Sequence, residues 1–129
     1  MDEINEESEE IVKKMMFIMR NAPHGTVNAY EGLEVMLIFA AYDQDLTAVF
    51  ADDGVYAIKK NQKTEGIGVK DFSPTFRVLP GYGIENIYVE KESLEERGLT
   101  VDDLLLEVEV KDKKELTKLM QEQEVLIPF

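Results

Sequence analysis

The sequence predicts an α/β fold: a three-layer α/β/α sandwich on a mostly parallel, five-stranded sheet. Two observations carry this. Apolar runs of strand length alternate with segments of helical pattern along the chain, and strands separated by helices pair in parallel. The first two runs, MMFIM (15–19) and LTAVFA (46–51), are apolar throughout rather than at every second position, as in strands covered on both faces.

The elements follow in order. MMFIM ends at Arg20. The loop R20-N21-A22-P23-H24-G25-T26 comes next, and Asn28 with Glu31 three residues on has the form of a capping box opening a helix to about Tyr42. LTAVFA ends at Asp52-Asp53-Gly54. VYAIKK (55–60) reads as a short helix or turn, and NQKTEGIG (61–68) as a polar loop. Ser73-Pro74 begins a helix, cap then proline at the first helical position, and Pro80-Gly81 ends it. NIYVE (86–90) is the third strand, and Ser93 with Glu96 caps a short helix stopped by Gly98. LLLEVEV (104–110) is the fourth. There Leu106, Val108 and Val110 alternate with Glu107 and Glu109, so one face is wet and the strand lies near a sheet edge. Asp112 with Glu115 caps a last helix through about Glu122, and VLIPF (125–129) is the final strand.

Within the first helix, VMLIFAAY (35–42) is apolar all round, and a helix of that kind is covered on more than one side. One side is the sheet. The other is a neighbouring subunit, which makes Val35, Leu37, Ile38, Phe39 and Tyr42 candidate interface residues, or else the chain at 55–80.

Residues 13–129 read as one domain, a size at which a core forms without staples. Residues 1–12 form an acidic tail: MDEINEESEE carries six acids and no base. The tail reads as a solvated segment or frayed helix, the alternative being a docking arm for a basic partner. The formal charge of −13, from 27 acids against 14 bases, argues against direct nucleic-acid binding, which rests on Lys and Arg neutralising phosphates. The absence of an 18-residue apolar run predicts no membrane span and a cytoplasmic protein. Cysteine is absent, which excludes disulfides, thiolate metal sites and any cysteine nucleophile or persulfide carrier on this chain.

Two places hold residues suited to chemistry. In open parallel sheets, ligands settle at the carboxyl ends of strands. Arg20, His24, Gly25 and Thr26 follow the first strand there; free N–H groups at a helix start hold anions, and His24, the one histidine, is a proton donor. The loop lacks the Gly-x-x-x-x-Gly-Lys phosphate motif, and the same residues make an ordinary turn. Asp52-Asp53-Gly54 ends the second strand. Adjacent carboxylates hold Mg²⁺, but Asp-Gly is also turn chemistry, with Asp53 as a cap for a helix near Val55. A signalling receiver domain would carry its acidic pair after the first strand, where Arg20-Asn21 stands. No Gly-x-Ser-x-Gly occurs, and one histidine makes no imidazole pair. No metal, cofactor or catalytic set is assigned.

The order of motifs resembles the DsrE/DsrF family, closest to its DsrF/TusC branch. The pieces are MMFIMRNAPHGT (15–26), EGLEVMLIFAAYDQDLTAVFADDGVYAI (31–58), SLEERGL (93–99) and VLIPF (125–129). The resemblance implies a flavodoxin-like sheet and assembly into trimers or hexamers. It further implies hetero-oligomers with cysteine-bearing DsrE/TusD-like and DsrH/TusB-like subunits, which pass persulfide sulfur in tRNA 2-thiouridine synthesis or sulfur oxidation. With no cysteine, this chain is expected to be a non-catalytic subunit of such a relay. The alternative is a small anion- or nucleotide-binding protein or enzyme using the crevice at His24, Asp52 and Asp53.

Overall fold

The computed structural model describes residues 12–22, 28–60 and 73–129. Five strands, β1 (Lys14–Met19), β2 (Asp45–Phe50), β3 (Asn86–Glu90), β4 (Glu109–Lys111) and β5 (Val125–Pro128), form one sheet in the order β4-β3-β2-β1-β5. Every neighbouring pair is parallel. Among the described residues, three α-helices stand between them: α1 (Asn28–Ala41), α2 (Lys91–Glu96) and α3 (Lys113–Gln121). Tight 3₁₀ turns occupy Asp52–Ile58, Ser73–Val78, Pro80–Tyr82 and Val101–Asp103.

The apolar runs explain the order. Met15 to Met19 of β1 are all buried, as are Leu46 to Phe50 of β2, so both strands need cover above and below. Met15, Phe17 and Met19 face one layer, with Leu33 and Met36 of α1 and with Val55, Ile58, Phe76 and Leu79 from the 3₁₀ segments. Met16, Ile18 and Val49 face the other, against Leu116, Leu119 and Met120 of α3. Each fully buried Phe or Met contributes about 1.5–3 kcal/mol relative to exposure. The chain steps from β1 out to β4 with its connections on the first face. It then crosses back to β5 beneath the second, because a right-handed crossover in the opposite direction must use the opposite face.

Several elements differ from expectation. The fourth strand is Glu109–Lys111, not 104–110. Leu104 instead bridges Lys59 in antiparallel fashion, and Leu105 N–H donates to the Ile58 carbonyl at 2.7 Å. That bond draws 104–108 off the sheet, while the edge position holds. Ser73–Tyr82 winds as 3₁₀ turns, with Phe76 and Leu79 both buried three residues apart, the spacing at which 3₁₀ side chains stack. Ser93 lies inside α2 rather than capping it; Glu90 holds the cap position. The α3 capping box is as expected: Asp112 Oδ1 accepts from Glu115 N–H at 2.8 Å and Glu115 Oε1 from Asp112 N–H at 3.1 Å.

At β5 the ladder ends on Pro128, which has no N–H, beside Ile18. Phe129 N–H donates to the Ile18 carbonyl instead, at 2.8 Å, and Arg20 N–H donates to the Phe129 carbonyl at 2.7 Å.

Among the described glycines, the tightest backbone approach is at Gly54. A Cβ there would lie 1.8 Å from the Met19 carbonyl oxygen, an atom of the backbone. Ala51 N–H donates to the same carbonyl at 3.0 Å. The chain leaving β2 therefore folds directly over the end of β1, with room only for hydrogen. Gly54→Ala is expected to lower stability by about 3 kcal/mol or more, or to abolish soluble expression, since neither backbone segment can yield. Gly81→Ala, where an added Cβ meets nothing within 4 Å, is the matched control in chemical denaturation.

Candidate functional site

The carboxyl ends of β1, β2 and β3 deliver Arg20, Asp52 and Glu90 to one end of the sheet. Asp52 and Asp53 are exposed, and Gly54 is buried beneath them. Asp52 adopts φ +50°, a left-handed conformation that Asp tolerates better than most residues. What holds it there comes from α2. The Asp52 N–H donates to Ser93 Oγ at 2.8 Å, and Ser93 Oγ donates onward to Glu90 Oε1 at 2.5 Å. Ser93 is fully buried, so the hydroxyl is a rivet between the β2 end and α2 and not an accessible nucleophile.

Arg97 makes a second tie. Its Nε and one terminal nitrogen reach Asp53 Oδ1 at 3.2 and 3.1 Å, and the other terminal nitrogen reaches the Ser93 carbonyl at 3.1 Å. Asp53 is thus not the helix cap expected of it: the 3₁₀ turn starts at Asp52 on Ala51, with no side-chain cap bond. Its carboxylate instead pairs with Arg97. Among the described residues, no group of three metal-capable side chains is brought together.

Of the other residues singled out, Arg20 is exposed at the end of β1, and His24, Gly25 and Thr26 lie outside the described residues. Ser93, Glu90 and Arg97 are the site residues that sequence reasoning missed. SLEERGL was legible as a helix, but nothing local signals that its serine bonds a backbone N–H forty-one positions away.

The candidate interface helix resolves into two sides. Val35, Leu37 and Phe39 are half-buried against the core, and Phe39 lies 6.2 Å from the Phe17 ring. Ile38 is 56 % exposed, Tyr30 48 % and Tyr42, just past the helix end, 72 %. With Glu34, which is also exposed, they line the outward side at four-residue spacing. The hydrogen bond that the Tyr30 hydroxyl donates to the Glu34 carboxylate, and then the negative charge of Glu34, raise the Tyr30 pKa above the usual 10.0.

A three-layer α/β protein with an all-parallel 4-3-2-1-5 sheet is the class that this geometry defines. Comparison narrows it: the DsrE/DsrF-like family profile matches residues 13–129, and the chain belongs to that family. It is 47 % identical over 134 residues, covering 93 % of the chain and 98 % of the relative, to the intracellular sulfur oxidation protein DsrF of Allochromatium vinosum. It is 37 % identical over 118 residues, 92 % of the chain and 100 % of the relative, to the TusC homolog of Vibrio vulnificus. Among solved structures, the ychN protein of E. coli superposes with a TM-score of 0.78 at 19 % identity, over 92 % of this chain and all of that one, a likeness of fold. No described helix is long and apolar enough to cross a membrane.

Two outcomes follow. Ser93→Ala strands the buried end of the Asp52 amide and is expected to cost about 1–3 kcal/mol in denaturant unfolding; Ser93→Thr, which keeps the hydroxyl, is expected to recover part of it. In ultraviolet titration, Glu34→Gln is expected to bring one of the five tyrosines down toward 10.0. The raised Tyr30 pKa means that this contact contributes fully below the unfolded-state value of 10.0 and is lost as pH rises through the shifted one.

Proposed function

We propose that this chain is a subunit of a sulfur-relay assembly, serving sulfur oxidation or tRNA 2-thiouridine synthesis, that supports a cysteine-bearing partner and does not itself carry sulfur. The observation that carries the reading is the near full-length match, at 47 % identity, to a protein named for intracellular sulfur oxidation, supported by relatives named TusC. Persulfide transfer requires a thiol on the acceptor, and none of these 129 residues is cysteine. The sulfur-bearing group therefore belongs to another chain, a DsrE/TusD-like subunit, with a DsrH/TusB-like subunit as the third component of a trimeric or hexameric assembly.

The outward side of α1 is the surface proposed to meet a neighbouring subunit. Tyr30, Ile38 and Tyr42 give it the aromatic and aliphatic character that interface cores favour. The crevice is proposed to shape the surroundings of the partner's thiol, with Arg20 at its open rim and the Asp53–Arg97 pair fixing its wall. The reading as an independent anion or nucleotide site is the weaker one, because Asp53 is already engaged by Arg97.

Affinity purification from native cells, with mass spectrometry of the recovered complex, tests the assignment. A cysteine-bearing relative in stoichiometric yield is expected, and recovery of the monomer alone would overturn it. Ile38→Glu is expected to release a folded subunit on sedimentation, whereas Leu37→Glu, whose side chain packs on the core, is expected to unfold the chain.

A further inference from the structure

Helix α1 carries Glu31 and Glu34 and no base, and no Lys or Arg occurs from residue 21 to residue 58, a stretch with six acids. Other carboxylates of the described fold meet cations: Asp53 and Glu96 on Arg97, Glu109 and Glu115 on Lys111. Glu34 does not. The residues three and four positions from it are Glu31, Tyr30, Leu37 and Ile38, none of them basic, and among the described residues it forms no ion pair. The Tyr30 hydroxyl donates to its carboxylate, but a neutral donor leaves the charge in place.

Glu34 is exposed at the middle of the outward stripe, with Tyr30 before it and Ile38 and Tyr42 beyond. The Pro80–Tyr82 turn packs against the same helix and adds Tyr82, 52 % exposed. When a surface of this kind is covered its centre loses water, and a charge there is strongly unfavourable unless an opposite charge meets it. A second copy of α1 does not supply one. Two such helices paired antiparallel about the middle of the stripe bring their Glu34 carboxylates to about 6 Å of each other along the axis. Neither helix carries a base to part them, and like charges so placed oppose the contact. The cation comes from the covering chain. Tyrosine rings attract ammonium and guanidinium groups, and the stems of Lys and Arg pack on apolar surface. Tyr30 and Ile38 therefore suit the rest of the side chain that Glu34 pairs with.

We propose that Glu34 is the specificity-determining centre of the α1 surface, taking a Lys or Arg side chain from a different subunit whose matching face sets that base in an apolar surround. This rests on the proposal that the outward side of α1 meets a neighbouring subunit. It adds the kind of face that fits there, and it excludes a second copy joined through the same helix.

Dissociation of the natively purified complex, followed by sedimentation on dilution at low and high salt, tests it. Glu34→Gln is expected to raise the dissociation constant about tenfold at low salt and to flatten its salt dependence. Glu34→Lys is expected to raise it further, and Glu34→Asp to raise it less than Glu34→Gln. Unchanged affinity and salt dependence in all three, in a complex that Ile38→Glu still disrupts, would overturn this inference and leave the interface standing. A complex indifferent to Ile38→Glu as well, or recovery of the monomer alone, would overturn the interface and the inference together. An oligomer of the chain by itself that Ile38→Glu breaks would overturn it in favour of a second copy.

Discussion

A strand that is apolar on both faces cannot sit against water on either, and β1 imposes that condition on everything around it. Met15, Phe17 and Met19 demand one layer and Met16 and Ile18 another. One layer is supplied by the connections that step outward to β4, and the other by the single return through α3. The sheet could not be two-layered with these residues at its centre. Parallel pairing on both sides of β1 follows, because each neighbour is reached through a covering segment and not through a hairpin.

The same strand sets the site. Its final carbonyl, on Met19, receives the Ala51 amide and lies under Gly54, so the chain leaving β2 has one path. That path forces Asp52 into a left-handed conformation, and the Ser93 hydroxyl, held in turn by Glu90, completes it. The carboxyl end of the sheet is thus a chain of consequences running from β1 through β2 to α2. Its polar groups are largely consumed in holding one another.

Most of the architecture was legible because burial leaves a periodic trace. MMFIM and LTAVFA read as covered strands, and Asp112 with Glu115 marked the start of α3 by the physics of amide capping. What could not be read depended on partners remote in sequence. LLLEVEV alternates like a strand throughout, yet Leu104 and Leu105 are claimed by Lys59 and Ile58, and alternation carries no record of that competition. Asp53 looked like a cap because capping is local, and its actual partner, Arg97, is forty-four positions away. In helix α1 the composition showed too many apolar residues for one buried face. Only the fold separates Leu37 and Phe39, half-buried, from Ile38 and Tyr42, which face outward.

The two edges of the sheet have a consequence of their own. On one side β4 offers three residues and then turns into α3; on the other β5 offers four and ends at a proline. An exposed strand edge is a template on which further strands polymerise, and proteins blunt it by brevity and by proline. Here both devices are present, one at each margin. Both devices work against edge-to-edge pairing of a sheet whose central strands are apolar on both faces.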